Sequence, residues 1–438
     1  MLSKVFERVY VINLKRRTDR WNDFISHLPE NWPLKIPVRY DAVDGGVIPP
    51  PTWWQGGKGA WGCYKTHLQI IEECLRDQIQ TVLIIEDDAL FTENFAQKLE
   101  EFWRFLPDDW EMVYLGGQHL EENTRVPRKI NEWTYQPYNI NRTHCYGLRG
   151  TNIMTQMYQH LHDFSSWKVA HHIDHYLGEL HKKMEHGLYV PREWLVFQMA
   201  NTSDVCNSAV EERRFQGAEE LSHPVIDLPG AAVLGSYFSG CNTLAGAMYR
   251  LGIFLGTDVK PPEDTTKPYY YEDHWLGEKC RNSFCEPWLT PCINKIDRTN
   301  LLRHWAGVQC QYKKEGANLF CGKHPILSLM GEELMEAWNN PKIIVVERPE
   351  REMFDVIQSK GWQDWHPHAT TYALKRMEKA REDFLRDKTP EHIKFNYDEI
   401  FSQPEQTIEK LCQFLNHHAS DEQTADAVTF IQTSTEDF

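Results

Sequence analysis

The sequence predicts an α/β protein built from two successive units. Three observations carry that reading. Short apolar runs rich in β-branched residues end in acids or glycines, helical periods separate them, and this alternation occurs before and after a polar stretch near residue 210. At 438 residues the chain has length for two or three domains, each with a core of its own. We place the first unit over residues 1–204, a linker over 205–226 and the second unit over 227–438.

The first unit opens with the strand Val9-Tyr10-Val11-Ile12-Asn13-Leu14, and the basic run Lys15-Arg16-Arg17 leads into a helix. A loop with Pro49-Pro50-Pro51, Trp53-Trp54 and Gly56-Gly57 comes next. A helix from about His67 to Arg76 then sets Leu68, Ile71 and Leu75 on one face. Thr81-Val82-Leu83-Ile84-Ile85 reads as a buried strand of a parallel sheet. Met112-Val113-Tyr114-Leu115 is a further short strand that stops at Gly116-Gly117. The linker is polar, carries Glu211-Glu212-Arg213-Arg214 and lacks a strong period. In the second unit we expect a strand from near Ala231 to Tyr237, a glycine turn, and a helix from about Thr243. A strand over Lys342–Val346 and helices from about Tyr372 and Pro404 complete it.

Composition narrows the function classes. With 41% hydrophobic and 25% charged residues the chain is an ordinary globular one. Its 47 basic and 63 acidic residues leave a net charge of -16, which argues against a nucleic-acid or anionic-membrane binder. A local basic pocket for phosphates, or an acceptor at a membrane surface, stays compatible with that balance. No apolar stretch approaches the roughly 18 residues of a membrane helix, and the opening residues show no secretory signal. The 11 cysteines are odd in number and scattered, and Cys280, Cys285 and Cys292 lack the paired spacing of a zinc site. Reduced thiols in a cytoplasmic protein are the expectation.

Chemistry concentrates at Glu86-Asp87-Asp88, directly after the Thr81 strand. Adjacent carboxylates repel one another, and partial desolvation raises that cost unless a cation sits among them. Open α/β sheets place ligands at such strand ends. A hard divalent ion that also holds a diphosphate would relieve the conflict, and a solvated acidic turn is the other reading. Asn13, Arg16, Arg17 and Arg20 end the opening strand, where arginine forks and backbone amides suit a diphosphate. Gly59–Leu68 with His67, Tyr114–Gly117, Thr143–Tyr146 with His144, and Ile173–Leu177 with Asp174 also stand out. Singly, each also fits a core histidine, a glycine turn or a capped helix.

Together, in order and spacing, these pieces resemble glycosyltransferase family 25 over about the first 200 residues. Lys65 departs from the pattern, where a small or apolar residue is usual. The resemblance implies a GT-A-like fold, a UDP-sugar donor (typically UDP-galactose or UDP-glucose), Mn2+ or another divalent metal, and inversion at the anomeric carbon. It assigns donor contacts to Asn13, Arg16, Arg17, Arg20, His67, Glu86, Asp87, Gly116, Gly117 and His144, and the metal to Glu86 and Asp88. Inversion needs a base for the acceptor hydroxyl, and Asp174 is the candidate, with a helix-capping carboxylate as the alternative.

In the second unit, Val233 to Gly246 gives strand, glycine turn and helix start, where amides and the helix dipole converge on a spot suited to an anion. The P-loop lysine signature is absent. Gly322-Lys323-His324-Pro325, Val346-Glu347-Arg348-Pro349 and Phe395-Asn396-Tyr397-Asp398 follow. This series resembles the PAPS-dependent sulfotransferases over roughly 230–416, which implies a P-loop-like α/β domain. Ser239, Gly240, Cys241, Asn242 and Thr243 would then meet the 5′-phosphosulfate of PAPS, Arg348 and Ser359 the 3′-phosphate, and Glu272 or His274 would serve as base. Cys241-Asn242 departs from the usual loop, no lysine lies in it, and Val356 stands where a serine is usual, with Ser359 about one turn later. The expected function is hexose transfer followed by sulfation on one glycan. The alternative is a second unit that only binds the acceptor or a partner.

Overall fold

The computed structural model describes residues 2–122, 124–164, 172–203, 208–259, 271–361 and 365–434. The chain divides into two compact α/β units, residues 1–122 with 126–222, and 123–125 with 223–438. No described helix is long and apolar enough to cross a membrane.

In the first unit Arg8–Asn13 lies parallel between Val38–Asp41 and Thr81–Glu86. The acidic strand is parallel on that side only. Its other neighbour, Ile140–Arg149, runs antiparallel both to it and to Met112–His119 beyond, so the eight-stranded sheet is mixed rather than parallel. Val82, Leu83, Ile84 and Ile85 are all fully buried. Val82 and Ile84 pack with Leu68, Ile71 and Met154 on one face, while Leu83 and Ile85 pack with Phe24, Phe95 and Leu99 on the other. Burial on both faces explains an uninterrupted apolar run. The same period of two carries into the acids and separates Glu86 from Asp87.

Two expectations change here. The helix expected from His67 starts ten residues earlier, at Gly57, so Cys63, Thr66 and His67 share one helix. Met112–His119 is one strand that runs through Gly116-Gly117, with register shifts on either side of Gly116. Those glycines are interior packing positions and not a turn. A Cβ on Gly116 would stand 2.3 Å from Val196 O and 2.4 Å from His144 Nε2. The expected linker also carries structure: Ser208–Val210 is a strand, Ala218–Ser222 is a helix, and Ser222 Oγ donates to Pro127 O.

The second unit holds four parallel strands in the order Phe320–Lys323, Gly230–Leu234, Lys342–Glu347, His392–Asn396. Ala232, Leu234, Ile343 and Val345 face one core, and Ala231, Val233, Ile344 and Val346 face the other. The glycine turn after Gly230–Leu234 therefore lies at the carboxyl edge of an interior strand, where ligands of such sheets bind. Among the described residues eight cysteines are free, as expected, and Cys285 and Cys292 are the exception. The antiparallel pair Phe284–Cys285 and Thr290–Pro291 brings their Cα atoms to 6.1 Å, and the two are joined as a disulfide.

Candidate functional site

At the carboxyl ends of Arg8–Asn13 and Thr81–Glu86 the first unit opens a cavity of about 650 Å³. Arg16, Arg20, His67, Glu86, Asp87, Asp88 and Asp174 all line it. One helix, one strand end and the start of the Ile173–His181 helix thus bring together residues spread over some 160 positions.

Charge in the cavity is arranged and not merely crowded. Arg20 Nη2 pairs with Asp87 and stands 3.3 Å from Asp88 Oδ2. Asn13 Nδ2 donates to Asp87 at 2.5 Å from behind. Burial pushes the Asp87 carboxyl up to about 7 against the pull of Arg20, and the charges of Asp88 and Glu86 push the same way. Burial also opposes charge on Glu86, but His67 and the hydroxyl of Thr143, which donates at 2.6 Å, bring it below the usual carboxylate range. Arg16 Nε meets Asp44 at 2.8 Å on the opposite rim. Asp174 sits in the first turn of its helix, where its carboxylate accepts from the His175 amide. The cap position itself belongs to His172.

This donor set fits a divalent cation. Glu86 and Asp88 line the same space, and His67 Nε2, buried and without a hydrogen bond, stands 3.6 Å from Glu86 Oε1.

Five expected donor contacts do not line the cavity. Asn13 supports Asp87, and Arg17 turns to Asp19 at 2.9 Å. His144 Nε2 meets Val196 O at 3.2 Å, and Gly116 and Gly117 lie within their strand. Cys63, Thr143 and Arg213 line the cavity although the sequence reading gave them no role. Thr143 belongs to a strand whose alternation is hidden by burial on both faces, and Arg213 reaches the site through a bridge to Gln198. The Trp53-Trp54 loop packs: Trp54 is buried and its ring lies 5.0 Å from Trp61 and 5.5 Å from Tyr64.

In the second unit the turn closes at Gly240, with φ +96°, just before the helix Cys241–Arg250. A Cβ there would also meet Tyr397 Cδ2 at 2.8 Å, so only glycine suits the position. Ser239 Oγ lies 3.2 Å from Cys241 Sγ, and Thr243 is buried in the first turn. A lysine reaches the loop from the neighbouring strand of the sheet. Lys323, in register with Val233, donates to Asn242 Oδ1 and, at 2.5 Å, to Glu272 Oε1. Arg348 Nη1 donates to Phe238 O at 3.2 Å, its Nε meets Glu352 at 3.1 Å, and its guanidinium lies 3.8 Å over the Tyr397 ring.

Two expected residues stand apart. Ser359 is exposed near the far end of the Glu350–Lys360 helix, its hydroxyl bonded to Val356 O, about 13 Å along the axis from the helix start. His274 is exposed as the first residue of its helix and packs on Trp275, while Glu272 joins Lys323.

Comparison with known proteins finds similarities to each unit. Residues 56–163 match the family model of glycosyltransferase family 25 (LPS biosynthesis protein). Mouse "Procollagen galactosyltransferase 2" is 28% identical over 150 residues, which covers 29% of this chain and 24% of that protein. Human "Inactive glycosyltransferase 25 family member 3" is 32% identical over 148 residues, covering 28% and 24%. The match thus spans about a quarter of the length of these relatives. Among solved structures, the sulfotransferase domain from the curacin biosynthetic pathway covers 45% of this chain and 77% of its own at 18% identity and a TM-score of 0.30. Sulfotransferase STF9 from Mycobacterium avium covers 49% and 70% at 10% identity and a TM-score of 0.35. Likenesses this loose carry no argument.

The Lys323–Glu272 pair has a consequence that pH can read. Burial raises the Glu272 carboxyl, but Lys323 and His324 pull it further down, to a net position below its ordinary 4.5. A carboxylate depressed in the folded state adds stability that is complete above the ordinary value and lost as pH falls through the folded one. Acid unfolding of the wild type should therefore steepen below about pH 4.5. Glu272→Gln should flatten that slope in a series of denaturant titrations from pH 6 to pH 3, and an unchanged slope would contradict the pairing.

Proposed function

We propose that the protein modifies a glycan in two steps, hexose transfer by the first unit and sulfation by the second. The observation that carries the first step is the single cavity in which Arg16, Arg20, the three acids and Asp174 face one another. Arg16 and Arg20 hold the diphosphate of a UDP-sugar (UDP-galactose or UDP-glucose) by charge-assisted bonds. Glu86 and Asp88 hold a divalent ion such as Mn2+, whose charge when bound offsets that of the leaving diphosphate. Asp174 takes the proton of the acceptor hydroxyl as its oxygen attacks the anomeric carbon from the face opposite the leaving group, so configuration inverts.

For the second step, the amides around Gly240 with Lys323 face the phosphosulfate of PAPS, and Arg348 takes the 3′-phosphate. The acceptor oxygen bonds to sulfur, the bond from sulfur to the 5′-phosphate breaks, and Glu272 accepts the proton. The exposure of Ser359, bonded to Val356 O, and the engagement of Arg348 with Glu352 favour a second reading, in which this unit only binds an acceptor.

Products formed from a panel of UDP-sugars and PAPS, read by mass spectrometry, separate these. Asp88→Asn should abolish metal-dependent hexose transfer, and Asp174→Asn should lower turnover roughly 10²- to 10⁴-fold with donor binding nearly unchanged. Full transfer by Asp88→Asn in EDTA would end the metal's part in the reading. For the second unit, calorimetry with adenosine 3′,5′-bisphosphate should show binding that Arg348→Ala weakens roughly ten- to hundredfold. No binding by the wild type at millimolar ligand would leave the acceptor-only reading.

A further inference from the structure

We propose that Cys63, His67 and Glu86 form a binding site for a thiophilic divalent cation of the zinc class, sharing only Glu86 with the carboxylate pair assigned above. Cys63 and His67 stand four residues apart on the Gly57–Arg76 helix, so both side chains leave the same face. Glu86 ends the strand opposite them. Their three donor atoms all lie within 4.8 Å of one another, and all three residues line the cavity. Tetrahedral zinc with Zn–N and Zn–O bonds of about 2.1 Å sets those two donors about 3.4 Å apart. His67 Nε2 and Glu86 Oε1 stand 3.6 Å apart.

Two features of the surroundings point to a ligand and not to simple packing. His67 is 1% exposed, and its Nε2 finds no hydrogen bond although it faces Glu86. A buried polar atom left in that state is costly unless something occupies the gap. The other ring nitrogen, Nδ1, is held by the Tyr146 hydroxyl at 2.9 Å, and Thr143 holds the Glu86 oxygen at 2.6 Å. Metal-binding imidazoles and carboxylates are oriented by outer partners of this kind. Three protein donors with a fourth position open to the cavity is the arrangement of a zinc site that keeps a place for water or substrate.

Cys63 sets the selectivity. A thiolate with an imidazole and one carboxylate suits zinc, whereas manganese prefers oxygen donors. Since Glu86 serves both sets, zinc here competes with a hard cation for one carboxylate. Cobalt binding is read without any sugar transfer, so its outcome is separate from that of the function proposed above.

Cobalt(II) is the probe, titrated into the metal-stripped full-length chain. The expected result is a near-ultraviolet thiolate-to-cobalt charge-transfer band that saturates at one cobalt per chain and disappears on adding one equivalent of zinc. Cys63→Ser should lose the band, while Cys412→Ser and Asp88→Asn keep it. Tyr146→Phe, which removes only the bond to Nδ1, should weaken cobalt binding roughly 10- to 100-fold. No charge-transfer band in the wild type, or a band of equal strength in a folded Cys63→Ser variant, would overturn the proposal. Unchanged affinity in Tyr146→Phe would overturn the part given to His67.

Discussion

Three consecutive carboxylates at the end of a strand buried on both faces are the constraint around which the first unit is built. The apolar run that precedes them has no freedom to move, since Val82, Leu83, Ile84 and Ile85 are all fully enclosed. Their charges must therefore be managed in place. The fold does so by splitting them: Glu86 turns to His67 and Thr143, and Asp87 turns to Arg20 and Asn13. The compensation is incomplete, because Asp87 still holds its proton up to about 7. A cation, with the diphosphate it would bring, would complete the balance that protein groups begin.

The second unit meets the opposite problem, a buried cation. Lys323 is 2% exposed at the end of its strand and would be expensive alone. Glu272 and Asn242 receive it, and both belong to segments around the anion-suited turn. An ammonium held by a carboxylate and an amide beside a helix start is stable without ligand, yet its charge remains near the place where a phosphosulfate would sit. The same economy applies to Arg348, which rests on Tyr397 and the Phe238 carbonyl.

The acids, the strand that presents them, Arg20, His67 and Asp174 were legible because local pattern and family spacing coincide there. Other parts were not legible for physical reasons. Gly116-Gly117 reads as a turn, but close approach of Val196 and His144 to the strand requires glycine just as strictly. Thr143, Arg213 and Lys323 reach their sites through sheet register and bridges between segments far apart in the chain, which no short-range period reports. The start of the long helix at Gly57 was hidden by glycines that favour turns in isolation, yet it is this extension that puts Cys63 on the face of His67. Ser359 gives no such local sign, its exposed hydroxyl bonding back to Val356 O within its own helix.

In the proposed function, the cavity lined by Glu86 and Asp88 is a nucleotide-diphosphate site completed by a divalent ion. Calorimetric titration of UDP into the intact chain tests it most directly, once with Mn2+ present and once in EDTA. One UDP should bind per chain with the metal, and binding should be lost or greatly weakened without it. Equal affinity in both conditions, or no binding in either at millimolar UDP, would contradict it.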